Sequence, residues 1–279
     1  MPNSIFIEKI VSFEIALREE EKSLNTILKY LRDTRAFFAF LRDRELSKDA
    51  VLEYKAYLGE TKAVTSANSM IASLNAFFRF IDKRELCVKS FRAQRDVFCS
   101  EEKELSKEEY FRLVNTAKKC GNERLNLILQ TICGTGMRVS ELKYVTVEAV
   151  NCGKISVRCK GKTRTILIVK KLRQLLMGYV KKQKIRSGMV FVTKSGKVVS
   201  RTSIWRDMKA LCRHAGVSPE KVFPHNLRHL FARVFYGLEK DIAKLADILG
   251  HSSINTTRIY IITTVKEHRR KMESMRLII

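Results

Sequence analysis

The sequence predicts a mainly α chain with a small β-sheet, in which an N-terminal helical domain precedes a larger mixed α/β domain. Three observations predict it. Apolar residues recur at helical spacing along most of the chain. Strict alternation is confined to KISVRCKGKTRTILIV at residues 154–169. A polar stretch without period, residues 89–103, interrupts both patterns. A length of 279 residues accommodates one large or two ordinary domains.

Helices are expected over 4–20, 24–43, 47–58 and 65–82. The clearest stripes are Leu24, Ile27, Leu28 and Leu31, and then Ile71, Leu74, Phe77, Phe78, Phe80 and Ile81. Four such helices make one small bundle, domain 1–98, with the phenylalanines in its core. Its polar side offers Lys29, Arg32, Arg35, Lys62, Arg79, Lys83 and Arg84 to a polyanion.

The linker falls near 89–103, and the second domain spans 104–279. Ser106 followed by Glu109 has the spacing of a capping box and starts its first helix. The alternating stretch reads as a hairpin with Lys160 and Lys162 at its tip, and MVFVTKSGKVVS adds a short strand pair. Further helices are expected in SIWRDMKALCRHAG, FPHNLRHLFARVFYGL and KDIAKLADILG, and a basic tail helix over 264–279.

The charge is uneven. Residues 1–100 carry 17 Lys and Arg against 14 Asp and Glu, whereas 101–279 carry 37 against 15, so most of the net +25 lies in the second domain. Such an excess implies a polyanionic partner, since each basic side chain placed on a phosphate releases counterions. Seven cysteines form no CxxC pair, which points to reduced thiols in the cytoplasm. No apolar run approaches the ~18 residues of a membrane span, so no membrane role is expected.

Several residues in the basic half could carry chemistry. On the helix after Pro224, Leu227, Leu230, Phe231, Val234, Phe235 and Leu238 face the core, so His225, Arg228 and His229 project from the opposite, wet side. His225 and His229 also have the i, i+4 spacing of a zinc pair, but no HExxH glutamate or third ligand accompanies them. Arg138 comes after Gly134, Thr135 and Gly136, a turn leading into a helix, and its planar fork suits phosphate oxygens. Glu141, one turn on, either orients Arg138 or forms a plain surface pair with it. Gly250 suits a left-handed helix end just before His251, and Ser252, Ser253 or Asn255 caps a short helix carrying Tyr260.

GTGMRVSEL, the lysine hairpin, HNLRH, LGHSS and TTRIY, in that order, resemble the signature of the tyrosine recombinases, the phage-integrase and Xer-type family. The resemblance covers nearly the whole chain. It implies a helical core-binding domain and a catalytic domain that form a clamp around double-stranded DNA, and a homo-tetramer on paired sites.

The implied reaction is site-specific cutting and rejoining through a 3′-phosphotyrosine, with no cofactor, metal or ATP. Insertion and excision of a mobile element is the expected task. Xer-like dimer resolution and a type IB topoisomerase-like activity are the alternatives. By the same resemblance Tyr260 is the nucleophile and Arg138 and Arg228 bind the scissile phosphate. His225 assists proton transfer, His251 donates to the phosphate, and Lys160 protonates the departing 5′ oxygen. Cys159 stands where the family commonly has glycine, which leaves Lys162 as a rival to Lys160. The tail ends in Leu277, Ile278 and Ile279 and is expected to dock on a neighbouring protomer, with docking on its own domain as the alternative.

Overall fold

Serine side chains start four of the longer helices by accepting hydrogen bonds from amides that a helix N-terminus leaves free. A computed structural model describes residues 2–92, 103–159, 162–193, 195–260, 269 and 272–275. Contacts divide the chain into two units, Met1–Arg95 and Asp96–Ile279.

In the first unit, α1 (Pro2–Glu19), α2 (Leu24–Leu41), α3 (Lys48–Thr61) and α4 (Val64–Phe80) form a helical bundle. Ser23 and Ser47 cap α2 and α3. Phe37, Phe38, Phe77 and Phe78 fill the core, with Phe37 and Phe78 edge to face at 5.7 Å between centroids. One acidic group is buried among them. Asp33 accepts from Lys29 Nζ (2.7 Å), Arg32 Nη2 (2.9 Å) and Ser73 Oγ (2.9 Å), so Lys29 is spent inside the bundle and not free on its polar side.

The second unit opens with α5 (Lys107–Lys119), whose capping box pairs Ser106 with Glu109, and α6 (Glu123–Thr135). A tight 3₁₀ turn, Val139–Tyr144, stands where a helix was expected after the glycines; Gly134 and Thr135 belong to the end of α6. The short α7 (Val147–Cys152) leads into β1 (Lys154–Cys159), which pairs antiparallel with β2 (Lys162–Leu167), Cys159 opposite Lys162. Lys160 and Gly161, which join the strands, lie outside the described residues. The strand pair expected in MVFVTKSGKVVS is reduced to a single bridge, Val192 to Val198.

The remaining helices are α8 (Lys170–Lys182), α9 (Arg201–Ala215), α10 (Pro224–Glu239), α11 (Ile242–Leu249) and α12 (Ile254–Arg258). Most of the tail 264–279 lies outside the described residues.

The face expected of α10 needs correcting at both edges. Leu227 and Leu230 are buried as expected, but Val234 and Leu238 are exposed, the latter 82%. The apolar stripe outruns the core there and lines an open groove of about 260 Å³ with Tyr110 and Phe111 of α5. Arg228, expected on the wet side, is 1% exposed, because the α6 end, the α11 end and Tyr260 cover it. No helix among the described residues is long and apolar enough to cross a membrane.

Candidate active site

Two helix ends converge on Arg228. Its Nη1 donates to the carbonyl of Gly136 (2.6 Å) at the C-terminus of α6, and its Nη2 donates to the carbonyl of Leu249 (2.7 Å) at the end of α11. These carbonyls belong to helix ends and have no partner within their own helices. Gly136 and Gly250 terminate the two helices in the left-handed conformation, at φ +65° and +66°. Gly136 is doubly constrained, since an added Cβ would lie 2.5 Å from Phe231 and 3.0 Å from Leu249.

Each glycine end is followed by one of the side chains expected at the site. Two residues after Gly136 comes Arg138, whose side chain is 40% exposed and whose Nη1 lies 3.2 Å from Glu141 Oε1. Glu141 Oε2 also accepts from the Arg138 backbone amide (2.7 Å), so the glutamate orients Arg138 and is itself buried, which decides against a plain surface pair. Immediately after Gly250 comes His251. Its Nε2 lies 2.8 Å from Arg228 Nη2 and its Nδ1 2.8 Å from Thr257 Oγ1. A guanidinium can only donate, so Nε2 accepts and the ring proton sits on Nδ1.

Tyr260 lies just past α12, which Ser253 caps. It is buried at 4% exposure among rings: His229 at 4.3 Å, His251 at 5.3 Å and His225 at 5.4 Å between centroids. The Arg228 guanidinium lies over the same ring at 5.9 Å. The Tyr260 hydroxyl is 3.2 Å from His225 Nε2.

Electrostatics keep these histidines neutral. Burial, then the charges of Arg228, Arg138 and Arg201, holds His225 below the usual imidazole value. Burial, His225, Arg233 and Arg228 bring His229 down to about 4. Burial, Arg228, Arg138, Arg164 and His225 bring His251 to about 4. Burial and Arg138 pull Arg228 down to about 10, still protonated at neutral pH. Two fixed cations beside a neutral base and a buried phenol can bind an oxyanion and accept a phenolic proton.

Five of the six residues expected from the sequence therefore share one pocket; the sixth, Lys160, lies outside the described residues. Arg164 of β2 was missed. It stands opposite Val157 in the register and reaches Glu141 Oε2 at 2.5 Å. Its signal was its parity, which it shares with the inward-facing Ile166.

The chain matches the phage integrase family over residues 103–267 and the N-terminal SAM-like domain of phage integrases over residues 10–85. It is 31% identical to the tyrosine recombinase XerA of Pyrococcus furiosus, over 97% of this chain and 95% of that protein. Among solved structures, the fold is shared with the XerH site-specific recombinase bound to its difH substrate in a pre-cleavage complex (TM-score 0.68, 21% identity, 94% of this chain and 83% of the other). It is also shared with a lambda integrase tetramer bound to a Holliday junction (TM-score 0.71, 17% identity, 91% and 76%). The sequence motifs, the pocket they build and these likenesses agree, and the chain belongs to the phage integrase family, the tyrosine recombinases.

Proposed function

We propose that the protein is a site-specific DNA recombinase that cuts and rejoins strands through a 3′-phosphotyrosine on Tyr260. The observation that carries the reading is the Tyr260 hydroxyl, 3.2 Å from a neutral His225, with the guanidinium of Arg228 over the Tyr260 ring.

Protonated phenols are poor nucleophiles, so His225 Nε2 takes the proton as Oη attacks phosphorus. The P–Oη bond forms while the bond to the 5′ oxygen breaks, and Arg138 and Arg228 hold the non-bridging oxygens. The departing 5′ oxygen takes a proton from Lys160, with Lys162 as the rival donor. Attack by another strand's 5′ hydroxyl on the phosphotyrosine reverses these bonds and rejoins the DNA without ATP. To donate to the phosphate, His251 must bind a proton at Nε2 and give up its bond from Arg228; an arriving anion favours both.

Residues 1–98 form the core-binding domain and 104–279 the catalytic domain in this reading, gripping duplex DNA and acting as a tetramer on paired sites. The lambda integrase tetramer supports that assembly. Insertion and excision of a mobile element is one task for the activity. The match to a XerA recombinase over nearly its whole length favours a second, Xer-type resolution of joined circles. Sequencing the DNA captured covalently in cells separates them: paired ends of one element indicate the first, a single chromosomal site the second.

The chemistry is tested on a pool of nicked duplexes with randomised sequence, scored for a protein adduct on the 3′ strand. Wild type is expected to form the adduct and Tyr260→Phe to form none. An adduct persisting in the Phe protein overturns Tyr260 as nucleophile, and no adduct from wild type overturns the recombinase reading.

A further inference from the structure

We infer that Arg164 is a positioning residue for the phosphate site, holding from β2 both the carboxylate that sets Arg138 and the helix end that presents His251. The inference rests on the recombinase reading above.

An arginine at an inward strand position is costly unless its donors are used. Arg164, with a side chain 15% exposed, uses both ends of its fork. Nη2 bonds Glu141 Oε2 at 2.5 Å, and Nη1 donates to the Ile248 carbonyl at 2.6 Å. Ile248 O belongs to the last turn of α11, and the next carbonyl, Leu249 O, is taken by Arg228. Two arginines from different elements therefore grip adjacent carbonyls of one helix end. The chain then turns at Gly250, where an added Cβ would collide with the Arg164 side chain, and His251 is the next residue.

The second consequence is electrostatic. Glu141 is buried, and its carboxylate serves two guanidinium groups. With Arg164 held close at 2.5 Å, Arg138 is held only at 3.2 Å and keeps donors free for an incoming phosphate. Without Arg164, the buried carboxylate has Arg138 as its one charged partner and draws it into a bidentate pair, away from substrate. A plain structural ion pair would stabilise the hairpin without this selective effect on phosphate binding.

The two roles separate on a substrate whose scissile phosphate is replaced by a neutral methylphosphonate, built into a duplex recovered by the adduct screen. Removing the oxygen's charge removes most of the need for a well-placed guanidinium. Arg164→Gln is expected to slow adduct formation about 100-fold on the ordinary phosphate. On the methylphosphonate the slowing is expected to shrink to roughly tenfold or less, with DNA affinity unchanged.

Equal slowing on both substrates, or no slowing on either, overturns the inference. Absence of adduct from wild type overturns the recombinase reading instead. If Arg164→Gln does not fold, Arg164→Lys carries the same comparison, because an ammonium on a shorter reach cannot serve Glu141 and Ile248 together.

Discussion

Burial and charge tune His225 for the part proposed for it. Neutral imidazole accepts a proton and imidazolium does not, so the attack step loses rate as pH falls through the His225 pKa. Burial and the surrounding arginines place that pKa below the ordinary 6.5. At subsaturating DNA the rate reports the free protein. The acid limb of adduct formation is therefore expected below pH 6.5, and a limb centred above it would remove His225 as the base. Sequence motifs singled out Tyr260 and Arg138, and the fold sets both beside Arg228. Arg228 was expected on the wet side but is buried, because helix periodicity describes one helix and says nothing of what neighbouring helix ends lay over it. Arg164 lies within the lysine hairpin but was not weighed as a site residue, and the strand register shows its inward position.

Elements were legible to the extent that their signals are local. The capping box at Ser106, the left-handed end at Gly250 and the hairpin all depend on residues a few positions apart, and all are present. The end of α6 was misread because its glycines suit a turn as well as a helix terminus, and the packing of Phe231 against Gly136 is a long-range fact. That packing makes a sharp contrast between two sites flanking one helix. Gly136→Ala adds left-handed strain and a clash, and is expected to destabilise by about 2–4 kcal/mol and to displace Arg138. Leu238→Ser, at the far end of α10 and 82% exposed, is expected to change stability by roughly 0.5 kcal/mol or less. Urea denaturation measures both, and equal losses would contradict the core boundary drawn through α10.

At the scale of the whole molecule, charge divides unevenly along the chain: residues 1–100 are nearly balanced and 101–279 strongly basic. A core of aromatic-rich helices fills the first unit; in the second, a core of mixed helices and hairpin is joined by a smaller cluster of Ala232, Leu245, Leu249 and Tyr260. Composition could not reveal how the site is assembled, because α6, α10, α11 and the segment after α12 are far apart in sequence and meet through tertiary contacts. In the proposed mechanism, the hydrogen bond between Tyr260 and His225 makes each copy self-sufficient for the first chemical step: attacking group, base and cations come from one polypeptide. Genetic complementation exposes the difference. A protein lacking the phenol and another lacking Arg228 cannot lend each other the missing part, so an equimolar mixture of Tyr260→Phe and Arg228→Ala is expected to leave DNA uncut. Cleavage restored by mixing would mean that the tyrosine is donated across a subunit boundary.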